Sequence, residues 1–312
     1  MPNLHPQIQA AIDAMAKLDL KPIEAMTPPE ARVQMEAMAA SRKAVPLEVA
    51  RVDNRTIPGP AGEIPVRIYT PPGSGARPAI VYYHGGGHVI GSLDSHDLVA
   101  RNLCSGAEAV VVSVDYRMGP EHRFPAAVDD SFAALEWVHA NAPVIGVDPN
   151  RLGVHGDSAG ANLAAVVALL ARDKGEPKLR LQSLVYPVAD FRMATESYKS
   201  YATGCGILTA DAMKWFRGHY LRSMDDALDW RASPVLAPNF AGVAPAIVIA
   251  AECDVLHDEG VELGEKLEAA GIPVERHEYA GMIHAFFGMM PAIDDAMNAQ
   301  RAVWAAFKKA FA

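Results

Sequence analysis

Cysteine is scarce in this sequence. The 312-residue chain carries three, Cys104, Cys205 and Cys253, an odd number without a CxxC pair. That argues against a disulfide framework and for a reducing compartment, with each thiol serving as a small buried apolar side chain. Basic residues are in deficit as well: 28 Lys and Arg stand against 37 Asp and Glu, a formal net charge of −9. Such a surface repels phosphates, and no Lys/Arg run counters it, so a nucleic-acid partner is not expected. Long apolar runs are also missing. Leu163–Ala171 and Val243–Ala251 are too short to span a bilayer as helices. Residues 1–21 hold Asp13, Lys17, Asp19 and Lys21 and no continuous apolar stretch, unlike a secretion signal. The expectation is a cytoplasmic protein with no membrane partner.

What is present suffices for a large core. Half of the residues are hydrophobic, and a chain of this size can bury about three quarters of its extended surface. No repeat period or low-complexity tract interrupts it. From about residue 50, short β-rich runs alternate with longer helical patterns. The β runs are Glu48–Thr56, Ile64–Thr70, Ala79–His84, Ala109–Val114, Leu152–His155, Gln182–Tyr186, Ala246–Ala250 and Val274–Tyr279. Val110-Val111-Val112 and Ile247-Val248-Ile249 are continuously apolar, as suits central strands covered on both faces. Helices are expected over Asp94–Gly106, Pro125–Asn141, Ser158–Arg172, Glu259–Ala270 and Ile293–Phe311, with Pro125 at a first helical position. This alternation predicts a mostly parallel sheet with helices on both faces. The first two β runs follow each other without a helix, which predicts an antiparallel edge.

Two stretches break the rhythm. Residues 1–45 hold helical patterns (Gln7–Lys17, Pro29–Arg42) but no strand, and residues 190–232 insert Tyr198, Tyr201, Trp215, Phe216 and Tyr220. Together they are expected to form a helical cap over the strand ends, where open α/β sheets bind ligands. The core is then 46–189 and 233–312.

Gly156-Asp157-Ser158-Ala159-Gly160 is a G-x-S-x-G pentapeptide between a β run and a helix. A serine hydroxyl is a weak nucleophile that must stand clear of its neighbours and beside a base. A sharp strand–turn–helix elbow with small residues two before and two after does this. Alone, the pentapeptide fits a plain βα turn with a capping serine equally well. His84-Gly85-Gly86-Gly87 ends the run that begins at Ala79. Successive glycines can bring bare N–H groups close to a substrate oxygen. A dinucleotide cradle would need the G-x-G-x-x-G order, which is lacking. His84 and His88 are four apart, but the glycines between them oppose a helix and no H-E-x-x-H glutamate is present, so no metal is expected.

With both glycine motifs in this order, the chain resembles the α/β-hydrolase fold and, within it, the hormone-sensitive-lipase-like carboxylesterases. Asp115-Tyr116-Arg117-Met118-Gly119-Pro120-Glu121-His122-Arg123-Phe124-Pro125-Ala126-Ala127 and Asp254-Val255-Leu256-His257-Asp258-Glu259-Gly260 extend the resemblance over roughly residues 45 to 312. The resemblance implies a mostly parallel eight-stranded sheet with flanking helices. Four positions depart from the family: Met118-Gly119 replaces Leu-Ala, Ala161 replaces a glycine, and His88 stands where an aromatic residue is usual. The last bears on pocket polarity and so on substrate preference, in a direction the sequence leaves open.

The fold's chain order is nucleophile, acid, histidine. His284, in Gly281-Met282-Ile283-His284-Ala285-Phe286-Phe287, follows the last β run and resembles the family's histidine loop. His219, His257 and His277 are expected on solvated faces. For the acid there are three candidates: Asp254, Asp258 and Asp190. The resemblance of Asp254-x-Leu256-x-Asp258 to the family motif selects Asp254, with Asp190 the alternative and Asp258 a support for the Asp254 loop. The resemblance further implies Ser158 as nucleophile and the N–H groups of Gly86, Gly87 and Ala159 as the oxyanion hole. It also implies hydrolysis of short-to-medium acyl esters without a cofactor. Met213, Trp215 and Phe216 are expected to limit acyl length. An amidase or peptidase would use the same triad. Plant gibberellin receptors resemble the family too, but they lose the triad histidine that is present here. Oligomeric state stays open, a homodimer included.

Overall fold

The structure, a computed structural model, describes residues 3–18, 20–42, 44–203 and 207–312; Asp19 and Cys205 lie outside the described residues. Among the described residues eight strands form one sheet: β1 Arg51–Gly59, β2 Gly62–Thr70, β3 Arg77–Tyr83, β4 Val110–Val114, β5 Val147–Asp157, β6 Leu179–Val185, β7 Ala246–Cys253 and β8 Val274–Ile283. Their spatial order is β1-β2-β4-β3-β5-β6-β7-β8. β2 runs antiparallel to both β1 and β4, and every later pairing is parallel. A single strand, β2, therefore runs against the rest of the sheet, as the missing helix between the first two β runs leads one to expect. Residues 51–59 form β1 rather than 48–56, and β5 and β8 extend beyond their apolar centres.

The helices are α1 Pro6–Met15, α2 Pro28–Ala40, α3 Asp97–Ala107, α4 Ala126–Ala140, α5 Ala159–Lys174, α6 Ser197–Ser200, α7 Ala210–Tyr220, α8 His257–Ala269 and α9 Asp294–Phe311. Pro125 precedes α4 as its cap, with φ −96°. It does not occupy the first helical position. At α2, Thr27 and Glu30 form a reciprocal capping box that satisfies amides the helix start would leave unpaired.

Alternation along the central strands divides the core in two. Val81, Val112 and Val154 point to one face, against Val128, Leu135, Leu163, Val167 and Leu263 of α4, α5 and α8. Ile80, Tyr82 and Val111 point to the other, against Leu103 of α3 and Val303 and Phe307 of α9. All of β4 is buried, and α5 is buried along nearly its whole length. A sheet with both faces covered leaves only its strand ends and loops for ligands, and the parallel strands end together on one side. α2 and α7 lie there, and α7 is tied to the segment before α2 where the Trp215 indole N–H donates to the Met26 carbonyl at 3.0 Å. Among the described residues no helix is long and apolar enough to cross a membrane.

Candidate active site

Ser158 sits between β5 and α5 with φ 57° and ψ −120°, a strained conformation for a residue with a side chain. The glycines of the pentapeptide explain how the turn closes. A Cβ on Gly156 would come within 2.1 Å of the Gly160 carbonyl group, and one on Gly160 within 1.9 Å of the Tyr83 carbonyl oxygen. Larger residues at either position would push the elbow open. The turn is held by the Ser158 N–H, which donates to the Val185 carbonyl at 2.9 Å, and by Ala161 and Asn162, which donate to the Ser158 carbonyl.

His284 follows β8 directly and is 7% exposed. Its Nε2 lies 2.9 Å from Ser158 Oγ and its Nδ1 lies 2.6 Å from Asp254 Oδ2. The Asp254 carboxylate is buried, and its second oxygen accepts the Leu256 N–H at 3.0 Å. The other acid candidates are engaged elsewhere. Asp190 is clamped by the Arg192 guanidinium, with contacts of 2.6 to 3.0 Å to both oxygens. Asp258 accepts the Ser197 N–H at 2.8 Å, and the Ser197 hydroxyl donates to the Val255 carbonyl at 2.7 Å. Asp258 thus reaches the Asp254 loop through Ser197.

The glycine loop after β3 faces the same space. Gly86 has φ 120° and Gly87 φ 60°, which only glycine adopts readily. The Gly86 carbonyl accepts the Val89 and Ile90 N–H groups at 3.0 and 2.9 Å, which closes a tight turn. Phe216 of α7 packs against Gly87, where an added Cβ would come within 2.1 Å of its ring. Ala159 is buried at the first position of α5, with its amide at the helix N-terminus.

These groups open on a cavity of about 300 Å³ shared by Gly86, Gly87, Ser158 and His284. Met213 and Phe216 line it, as expected; Trp215 instead binds the Met26 carbonyl. The N-terminal segment contributes more than composition suggested, with Met15, Met26, Met35 and Met38.

His88 does not make the cavity polar. It is fully buried and stacked on Tyr220 with ring centroids 3.9 Å apart, and burial pushes it down to about 3, so it is neutral. His84 is buried likewise: Nδ1 lies 2.7 Å from the Gly85 carbonyl, and the ring stacks on Tyr116. Among the described residues no group of three His, Cys, Asp or Glu side chains could hold a metal ion. Cys104 and Cys253 are buried, and burial pushes the Cys104 thiol up to about 12. His219, His257 and His277 are partly exposed, and His257 bridges Asp258 and Glu278. Gly119, the departure from Leu-Ala, lets the end of α7 close in: a Cβ there would lie 2.4 Å from the His219 carbonyl oxygen.

Two residues near the site carry no motif signal. Arg32 of α2 donates from Nε to the Val89 carbonyl and from Nη2 to the Gly119 carbonyl, both at 2.8 Å, and pairs with Glu121 at 2.6 Å. A single arginine on an amphipathic helix gives no spacing pattern to read. Asp157 stands inside the pentapeptide. Its Oδ1 accepts the Tyr82 hydroxyl at 2.9 Å, and its Oδ2 fills the space where Gly85 would carry a Cβ.

The family profile described as the α/β hydrolase fold matches residues 80–288. A carboxylic ester hydrolase of Mycobacterium tuberculosis, LipN, is 45% identical over 260 residues, covering 81% of this chain and 69% of that protein. An ethyl acetate hydrolase of Pseudomonas putida is 37% identical over 302 residues, covering 95% and 94%. Among solved structures, an esterase of Pyrobaculum calidifontis superposes with a TM-score of 0.91 at 40% identity, covering 99% of this chain and all of that one. The chain belongs to the α/β-hydrolase family, in its hormone-sensitive-lipase-like branch of carboxylic ester hydrolases.

Proposed function

We propose that the protein is a serine carboxylesterase in which Ser158 is the nucleophile, His284 the general base and acid, and Asp254 the group that orients the imidazole. The observation that carries this reading is the hydrogen-bond chain Ser158–His284–Asp254 at the floor of an apolar cavity. Ser158 Oγ attacks the ester carbonyl carbon while its proton passes to His284 Nε2. The carbonyl oxygen becomes an oxyanion held by the N–H groups of Gly86, Gly87 and Ala159, each such donor being worth about 10²–10³ in turnover. Collapse of the tetrahedral intermediate breaks the ester C–O bond, and His284 returns its proton to the departing alcohol. Water then hydrolyses the acyl-enzyme by the same route, with His284 again as base.

Residues 1–45 and 190–232 act as a cap over this centre, and residues 46–189 and 233–312 act as the catalytic core. The cavity volume and its methionine-rich wall suit short-to-medium acyl chains, small and apolar enough to displace water from it. Ethyl acetate, the ester named for the Pseudomonas putida relative, has an acyl chain at the short end of this range.

The test is a chain-length series of p-nitrophenyl esters on wild type and Ser158→Ala, with matched amides beside the esters. Turnover is expected on esters, abolished in a folded Ser158→Ala, and an organophosphate is expected to label Ser158 alone. A Ser158→Ala variant keeping a tenth of wild-type rate would overturn the assignment. Faster cleavage of the amides would reassign the substrate class.

A further inference from the structure

Most of the catalytic cavity's wall is apolar, with Met26, Met35, Met213 and Phe216 among its residues. Besides histidine, three ionisable side chains of charged type line it: Lys21, Arg42 and Asp157. Two of these have partners. Lys21 lies 3.8 Å from Glu30. Asp157 accepts the Tyr82 hydroxyl and has His96 Nε2 at 3.9 Å. Arg42 is different. Among the described residues its guanidinium meets no carboxylate, and its side chain makes one contact, 3.3 Å from Nη1 to the Ser95 carbonyl.

An arginine presents five N–H donors in a planar fork that matches a carboxylate. Here the protein engages one of them weakly. The charge also reaches inward. It opposes protonation of His96, second only to burial, and it favours ionisation of Tyr186 against the larger effects of burial, Asp157 and Asp254. Both residues line the cavity, and the Tyr186 ring centroid lies 4.6 Å from that of His284. With Lys21 beside Glu30, Arg42 is, among the described residues, the basic side chain of the lining that has no carboxylate beside it, in a chain whose overall charge is −9. A positive charge without a carboxylate partner at a substrate cavity attracts a substrate of the opposite sign.

We propose that Arg42 is a recognition site for a carboxylate borne by the ester itself, at the end remote from the scissile bond. The inference rests on the ester-hydrolase reading and narrows its substrates to acidic esters: hemiesters of dicarboxylic acids, or acyl esters of hydroxy acids. Arg42 follows the end of α2 and is exposed, so the paired carboxylate keeps part of its water. The gain is therefore about five- to tenfold, within the range for a charge-assisted hydrogen bond.

Two pairs of substrates test this. Mono-4-nitrophenyl glutarate against 4-nitrophenyl pentanoate places the anion on the acyl side. 4-Acetoxybenzoate against 4-acetoxybenzamide places it on the alcohol side. In one pair, Arg42→Gln is expected to lower the anionic-to-neutral ratio of kcat/KM about five- to tenfold, through KM, while the neutral member is unchanged. Arg42→Lys is expected to keep part of the ratio, since it keeps the charge and loses the fork. For wild type, raising NaCl should depress the anionic member only, a readout independent of any variant's folding. Ratios that do not move in either pair, together with no differential salt effect, would overturn the proposal. Ser158-dependent turnover of the neutral esters in the same assay would then leave the esterase reading standing. Loss of turnover on all four substrates would strike the esterase reading instead.

Discussion

Arg32, on the second helix of the chain, donates to the carbonyl of Val89, two residues beyond Gly87, at 2.8 Å. The same guanidinium holds the Gly119 carbonyl and the Glu121 carboxylate. The Gly119 N–H in turn donates to the His88 carbonyl at 2.8 Å. The N-terminal segment is thus fastened to the residues that follow the glycine loop, directly at Val89 and through Gly119 at His88. Arg32→Ala is expected to lower kcat about tenfold, in line with the loss of a charge-assisted network that positions a donor. Steady-state kinetics beside a thermal melt check this, and an unchanged kcat in the folded variant counts against the fastening.

Glu121 reports on that clamp through pH. Hydrogen bonding to the Arg32 guanidinium holds its carboxyl down to about 2, against an ordinary 4.5. A folded value below the unfolded one means that the stabilisation is complete above pH 4.5 and is lost as pH falls through about 2. Glu121→Gln should therefore lower the Tm by a constant amount near neutrality, with the difference closing between pH 4.5 and 2. A difference that persists at pH 2 would mean that the carboxylate's charge is not what stabilises.

The buried histidines make a second acid prediction. Burial pushes His84, His88 and His96 down to about 3 and His155 down to about 4, from 6.5. The unfolded chain binds these protons first, so stability is full above pH 6.5 and falls steadily as pH drops toward 3. Each histidine contributes a slope of about 1.4 kcal/mol per pH unit. His88→Phe can keep the stack on Tyr220 while removing one such group. Urea unfolding at pH 6.5, 5.5 and 5.0 should show a shallower loss for this variant, by about one proton. Parallel curves would show that His88 is not buried neutral.

The acid position can be tested by amide substitution. Asp254→Asn is expected to lower kcat by about 10³–10⁴, since an amide favours the wrong imidazole tautomer. Asp190→Asn should leave kcat nearly unchanged and lower the Tm, because it breaks the Arg192 clamp. Asp258→Asn should fall between them. An active Asp254→Asn beside an inactive Asp190→Asn, both folded, would reverse the choice.

Gly87 offers a steric test. A side chain there faces φ 60° and a ring contact at 2.1 Å from Phe216. Gly87→Ala is expected to reduce kcat by at least tenfold through displacement of the loop, and Phe216→Ala on top of it to restore part. No recovery in the double variant would assign the loss to the backbone conformation alone.

Much of this was legible in the chain because its physics is local. Uninterrupted valines mark strands covered on both faces, and the β4 and β7 cores fall where those runs lie. The glycines of Gly156–Gly160 are forced by contacts within the turn itself, and the turn brings its serine to the start of a helix. What the chain could not decide depends on elements far apart in it. Asp190 and Asp254 both follow parallel strands; a family resemblance favours Asp254, but physically it is the crossover packing carrying His284 toward Asp254 that separates the two. The direction of a ring along α7 was equally hidden. Phe216 turns to the cavity and Trp215 to the Met26 carbonyl, although they are neighbours on one amphipathic helix. Arg32 gave no signal at all, since its partners lie 57 to 89 residues away. Local sequence determined which residues could act and in what kind of turn each would sit. Tertiary structure decided which of them meet, because side chains from distant strand ends converge only once the sheet has twisted and its helices have packed.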